Sequence, residues 1–237
     1  MSFESRSIPL LEIAAGAGIS PATASRIMTE LKDSGYAGQL ANKEYFLTYK
    51  LYMVAGRAVG RNRFVEDMLP YLNYFTMKYD CGMSLTTFLG GSCVNIISVS
   101  KNIRFRAPLV VPGTAHPCHC TASGKLFLSC LTDDELNDWF SKNPLLPYTE
   151  KTIIDAQLLR EQLCQTRENG FAVVVGEYDE NTAALAIPAQ YSRGRVVSTL
   201  NFAAGIPKFD EINNPDFIAA VKETLAENNH KEWYNFD

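Results

Sequence analysis

Leu10-Leu11-Glu12-Ile13-Ala14-Ala15-Gly16-Ala17-Gly18-Ile19-Ser20-Pro21-Ala22-Thr23-Ala24-Ser25-Arg26-Ile27-Met28 decides how the N-terminal part of the chain folds. Apolar Leu10, Ile13, Ala14 and Ala17 recur at helical spacing, which predicts a short helix over 10–17. Gly18-Ile19 breaks the pattern. Ser20 then suits an N-cap, and Pro21 suits the first helical position. Residues 22–34 read as a second amphipathic helix with Ala24, Ile27, Met28 and Leu31 on its buried stripe, and Gly35 is placed to end it. Helix, short turn and Ser-Pro start make a helix-turn-helix pattern. In that motif the start of the second helix reaches base edges and phosphates in the major groove. The outward positions there are Ser20, Ala22, Thr23, Ser25 and Arg26, short hydroxyls plus one guanidinium, which suits such hydrogen bonding. The solvated face of any α-hairpin has the same pattern, so the two helices leave both readings open.

The flanking residues add to the DNA-contact reading. Tyr36–Leu40 and Tyr45–Thr48 are strand-like runs joined by the turn Ala41-Asn42-Lys43-Glu44. A small hairpin after a recognition helix is a wing, and Lys43 at its tip is placed to meet a phosphate. Residues 49–62 read as a connecting helix. Residues 1–62 hold seven Lys/Arg and five Asp/Glu, a net +2, within a 237-residue chain of net −4. A mildly basic head on an acidic body fits nucleic-acid contact by the head.

The rest of the composition is that of a globular protein: 46% hydrophobic, 20% charged, 15 Gly and 11 Pro. No apolar run approaches the roughly 18–20 residues that span a bilayer. The first residues, Met1-Ser2-Phe3-Glu4-Ser5-Arg6, lack an apolar stretch of signal-peptide length, so a cytoplasmic location is expected. The six cysteines (Cys81, Cys93, Cys118, Cys120, Cys130 and Cys164) are then expected as free thiols, several of them core fillers.

From residue 63 onward helix-like and strand-like runs are interspersed. Helices are expected at 64–79, 121–131, 132–140, 153–169 and 214–228. Phe64–Tyr79 places Val65, Met68, Leu69, Leu72 and Phe75 on one face, and Thr132 with Glu135 makes a capping box. Strands are expected at 83–89 and 93–99, joined as a hairpin by Gly90-Gly91-Ser92, and at 105–111, 171–175, 183–191 and 195–203. The pattern argues for an α/β sandwich on a mainly antiparallel sheet, and for the whole chain an α+β fold.

Catalysis and metal binding find little support. A phosphate loop needs Gly, four residues, then Gly-Lys-Ser/Thr. Around Gly124-Lys125 position 119 is His and position 126 is Leu, so that reading fails. His116, Cys118, His119 and Cys120 are possible soft ligands, but structural zinc sites use ligand pairs separated by two or more residues. No metal and no cofactor is expected. Cys118 and Cys120 are separated by one residue, and one of them is expected to face the core and the other not. An enzyme with one of them as nucleophile is the competing reading, and it requires a base and a lowered thiol pKa.

The order of motifs resembles a known family. Ile13-Ala14, Gly18-Ile19-Ser20-Pro21-Ala22-Thr23, Arg26, Leu31, Ser34-Gly35-Tyr36 and Asn42-Lys43-Glu44-Tyr45-Phe46-Leu47 resemble the winged helix of IclR-type bacterial transcriptional regulators. Gly113 and His116-Pro117-Cys118-His119-Cys120-Thr121-Ala122-Ser123-Gly124-Lys125 resemble that family's effector-domain signature. Gln165-Thr166-Arg167-Glu168-Asn169-Gly170-Phe171-Ala172 is similar to one of its helix ends. The resemblance implies a winged helix-turn-helix over 1–48, a linker helix over 49–62 and a GAF-like effector domain over 63–237. It also implies a repressor of a catabolic operon that binds double-stranded operator DNA as a homodimer or homotetramer, away from membranes. Family members usually carry a further helix before the one at 10–17, and only Met1–Ser7 precede it here. A ligand-binding module that has lost DNA binding is therefore the alternative.

Ala122, Ser123 and Gly124 open a helix whose free N–H groups and positive dipole end favour an anion. The resemblance adds Val174, Ala184, Asn201 and Ala203 as facing walls, mostly small and apolar, and leaves Glu177 as the one acid of the family's acidic stretch. A small carboxylate with an apolar or hydroxylated body is the expected effector.

Overall fold

The computed structural model describes residues 7–60, 63–100, 113–192 and 195–228. The chain divides into two compact units, residues 1–62 and 63–237. In the first unit, α1 (Leu10–Ala17) stops where Gly18 takes the left-handed conformation, φ 64° and ψ 30°. The Gly18 and Ile19 N–H groups donate back to Ala15 O and Ala14 O, closing the helix end. In α2 (Pro21–Asp33) the Ser20 side chain accepts from Thr23 N at 3.1 Å, with Pro21 in the first turn. Ala14, Ala24, Met28 and Ala37 form a small buried core. Ile27, expected on the buried stripe, is 41% exposed. Ala24 and Met28, four apart, suffice to cover the narrow contact with α1.

The strands β1 (Ala37–Gln39) and β2 (Tyr45–Leu47) form the expected hairpin, with Ile8 bridging to Tyr45. Lys43 in its turn adopts φ 65°. α3 (Tyr49–Gly60) follows, with Tyr49, Tyr52, Met53 and Val54 all exposed.

The second unit begins with α4 (Arg63–Tyr79), which accommodates Pro70. Val65, Met68, Leu72 and Phe75 are buried as the helical stripe predicts, whereas Leu69 is exposed. Among the described residues six strands form one sheet: β3 (Gly82–Leu89), β4 (Ser92–Val99), β5 (Ala115–His116), β6 (Ala172–Val175), β7 (Thr182–Ser192) and β8 (Arg195–Gly205). Their order is β5-β4-β3-β8-β7-β6, and every neighbouring pair is antiparallel. Gly90 and Gly91, at φ 58° and 82°, make the β3–β4 turn a conformation other residues resist.

Alternation along the strands gives the sheet two different faces. On one, Phe202 of β8 packs edge-on against Phe75 of α4 and Phe217 of α8 (Pro215–Asn228), with ring centroids 6.0 and 4.9 Å apart. On the other, Thr199 of β8 donates to Ser123 of α5 (Ala122–Ser129) at 2.9 Å. α6 (Asp133–Lys142) and α7 (Ala156–Asn169) extend that layer, with Leu136, Trp139, Leu159 and Leu163 packed against Phe127 and Leu128. The Thr132–Glu135 capping box forms in both directions.

Several expectations require correction. The helix expected over 153–169 starts later, because Asp155 caps the Gln157 and Leu158 N–H groups while Thr152 is tied to Glu177 O at 2.7 Å. β5 and a 3-10 helix at Ile206–Glu211 were not anticipated. The strand expected over 105–111 lies outside the described residues. Cys118 and Cys120 do not alternate between core and solvent: the chain turns through 118–120, and both are buried.

That turn is held tightly. A Cβ on Gly124 would collide with the Cys118 backbone, which has no flexible end to move aside. Gly124→Ala should therefore destabilise the protein by about 2 kcal/mol or more through overpacking. Urea denaturation against the wild type measures this, and a neutral effect would mean the close approach is not required.

Candidate functional site

Between the start of α5 and the sheet lies a cavity of about 60 Å³. By the volume a single water needs, that is room for roughly four to six water-sized groups. Among the predicted effector residues, Ala122, Ser123, Val174, Ala184, Asn201 and Ala203 line it together. Gly124 does not. It turns toward Cys118, and its function is to let the backbone approach closely.

The start of α5 remains open to the cavity. Thr121 makes no side-chain cap, because its hydroxyl donates to Pro117 O at 2.7 Å. The first N–H groups of a helix have no intrahelical acceptor, so they are available to a ligand with the positive end of the helix dipole behind them. Ser123 accepts from Thr199 and keeps its own hydroxyl hydrogen to donate.

At the β6–β7 end the wall is Val174 and Ala184, with Tyr178 and Asp179 from the connection between these strands and Thr182 at the start of β7. At the β3–β4–β5 end it is Ser84, Thr86, Asn95 and His116. The wall as a whole remains mostly apolar, with polar groups added by these four side chains. These four were missed because only strand pairing brings them together, and no local motif marks them. Thr86 Oγ1 donates to Asn95 Oδ1 at 3.2 Å, and Asn95 Nδ2 lies 3.2 Å from His116 Nε2. Burial pushes the His116 imidazole down to about 4.

Lys125 and Glu177 stand behind the site. Lys125 is 1% exposed and pairs with Glu177, with Gln162 of α7 as a further acceptor. Burial lowers the Lys125 pKa while Glu177 opposes the shift. Glu177, the acid left over from the sequence pattern, is thus committed to a cation and does not line the cavity. His119 donates from Nε2 to Leu146 O at 2.9 Å, and burial lowers its pKa as well.

The thiols are poor nucleophiles. Burial raises Cys118, and it pushes Cys120 up to about 12, the opposite of what a thiolate mechanism needs. Among the described residues no group of three or more His, Cys, Asp or Glu is placed to hold a metal ion. None of their helices is long and apolar enough to cross a membrane.

In the first unit Ser20, Ala22, Ser25, Arg26 and Lys43 are exposed, and Thr23 is half-buried. The Ser20 and Thr23 hydroxyls lie 2.9 Å apart, so both are partly engaged in the cap. Lys50 was not anticipated there. It donates to Ser34 O at 2.6 Å and lies over the Tyr36 ring.

Residues 56–228 match the family model described as bacterial transcriptional regulator IclR C-terminal. The chain is 25% identical over 190 residues to the Pca operon regulatory protein of Acinetobacter baylyi, covering 79% of this chain and 68% of that one. It is 26% identical over 235 residues to the HTH-type transcriptional regulator KdgR of Dickeya chrysanthemi, covering 95% and 73%. In fold it resembles an IclR homolog from Microbacterium hydrocarbonoxydans complexed with 4-hydroxybenzoate, with a TM-score of 0.70, 17% identity and coverage of 96% and 95%.

The buried imidazole makes stability depend on pH. His116 holds a proton less tightly in the folded chain, at about 4, than the ordinary 6.5. Stability is therefore complete above the ordinary value and is lost as pH falls from about 6.5 toward 4, with His119 acting in the same sense. Between pH 7.5 and 4.5 the wild type should lose roughly 2–3 kcal/mol more than His116→Asn. Denaturant titrations of both proteins at the two pH values test this, and equal losses would contradict it.

Proposed function

Because the chain belongs to the IclR family of bacterial transcriptional regulators, we propose that it is a DNA-binding repressor of a catabolic operon, released or tightened by a small organic acid. The observation that carries the reading is the cavity against the uncapped start of α5, where six of the residues expected to meet an effector converge. Its ligand is a small carboxylate, held by the first N–H groups of α5 and the Ser123 hydroxyl. The charge is met by backbone dipoles and not by a dedicated Arg, so affinity is modest.

The order of α1, the Gly18 turn, α2 and the β1–β2 hairpin supports reading the N-terminal unit as a winged helix-turn-helix. Support for DNA contact comes from the exposed start of α2 with Arg26, from Lys43 in the hairpin turn, and from the description of the Dickeya relative as HTH-type. A single such unit reads few base pairs, so the operator is bound by at least a dimer. The exposed apolar side chains of α3 need cover in an oligomer. Support for the catabolic role is the Pca operon regulator among the relatives, and support for an organic-acid effector is the 4-hydroxybenzoate bound to the Microbacterium homolog.

Two substitutions separate the halves of this reading. Arg26→Ala should weaken binding to the intergenic DNA beside the gene. The cost is about 1–3 kcal/mol if the guanidinium reads a guanine edge, and less, with a flatter salt dependence, if it meets phosphate. Unchanged gel-shift affinity would contradict the assignment. Ser123→Glu puts a carboxylate where the ligand's belongs, and the first turn of a helix tolerates an acid. It should abolish the thermal shift produced by small organic acids and leave DNA affinity intact. A wild-type response in that variant would place the effector elsewhere. Wild-type protein that binds acids but no DNA would favour a sensor module without DNA binding.

A further inference from the structure

The N-terminal turn of α5 accounts for one end of a ligand, and the same cavity is lined by a side chain with a polar atom that no described residue satisfies. His116 is 4% exposed, and among the described residues its Nδ1 has no hydrogen-bond partner. The proton on that nitrogen is fixed by its neighbours. Thr86 Oγ1 donates to Asn95 Oδ1, which turns the amide so that Nδ2 faces His116 Nε2 at 3.2 Å. An amide nitrogen only donates, so Nε2 accepts and the neutral ring carries its hydrogen on Nδ1. A buried N–H without an acceptor is costly. His116 itself lines the cavity, together with Ser84, Thr86 and Asn95 of the strands and Ala122 and Ser123 of α5.

We propose that His116 Nδ1–H is the specificity-determining donor of this cavity, holding a second oxygen of the effector while the start of α5 holds its carboxylate. The inference rests on the cavity being the effector site. It narrows the ligand class. The effector is a short acid with a further oxygen acceptor, an oxo, hydroxy or second carboxylate group, and its hydrocarbon portion lies against Val174 and Ala184. An acid of the same length without that oxygen leaves the imidazole N–H unpaired, and discrimination of this kind is stronger than that of an apolar pocket counting methylenes. Thr86 and Asn95 are positioning residues that set the tautomer.

The test uses the full chain and two matched pairs of acids, propionate with pyruvate and butyrate with succinate, titrated by calorimetry. In at least one pair the wild type should bind the oxygen-bearing member about tenfold more tightly, the worth of one hydrogen bond. His116→Leu should remove that preference, so that the two members of each pair bind alike. His116→Asn sets an amide N–H near the position of Nδ1 and should restore most of the preference, which a purely structural role would not do. Melting temperatures of both variants establish that they fold. An intact preference in His116→Leu, or none in the wild type in either pair, overturns the proposal. Ser123→Glu separates this from failure of the underlying reading. If it abolishes binding of every acid while His116→Leu keeps the preference, the cavity is the site and His116 is not its donor. If it binds the acids as the wild type does, the cavity reading falls and the His116 proposal with it.

Discussion

A buried ammonium fixes where everything else around the cavity can be. Lys125 is among the largest fully buried side chains of the protein, and an isolated charge in such a place would cost far more than the fold could offset. It is tolerated because Glu177, after β6, and Gln162, on α7, both meet it. Three separate parts of the chain, α5, α7 and the segment after β6, are thereby tied to one point. A buried pair of this kind adds little net stability, and removing one partner is strongly destabilising. Its consequence is positional: the start of α5 is held against the sheet. Gly124 acts on the same turn from the other side by admitting the Cys118 backbone. The uncapped N–H groups of Ala122 and Ser123 are what these two constraints present to the cavity.

The sheet does the rest by alternation and order. One face is an aromatic core shared with α4 and α8, and it serves stability. The other carries small residues at Ala184 and Ala203, which leave space beneath α5, and polar ones at Ser84, Thr86 and Asn95. Because β6 and β7 stand on one side of β8 and β3, β4 and β5 on the other, Val174 and Ala184 face the cavity from one side and Ser84, Thr86, Asn95 and His116 from the other. The same arrangement explains why the thiols nearby are inert. Cys93 and Cys118 lie with their sulfur atoms 3.3 Å apart, and burial favours the neutral thiol of Cys118.

Local signals carried much of the fold into the sequence. Ser20-Pro21 announced the start of α2, Thr132 with Glu135 that of α6, and Gly90-Gly91 the β3–β4 turn, because each feature is satisfied within a few residues. What the sequence hid was long-range. Lys125 finds its acid 52 residues away, and without that partner it resembled a failed phosphate loop. The expectation that only one of Cys118 and Cys120 faces the core failed because nothing local marks the turn in which both are buried. Gly124 looked like a ligand-facing glycine, although the atom it makes room for is six residues back in the chain. His116 has its partner on β4, a neighbour created only by pairing of Cys93 with His116 across the sheet.

The account turns on whether the first N–H groups of α5 bind an anion. Backbone amide resonances of Ala122 and Ser123, followed during titration with small carboxylates, report on this directly. Saturable downfield proton shifts at these two amides, larger than elsewhere in the second unit and absent in Ser123→Glu, are the expected result. Saturable binding that leaves both amides unmoved and perturbs another region would contradict it.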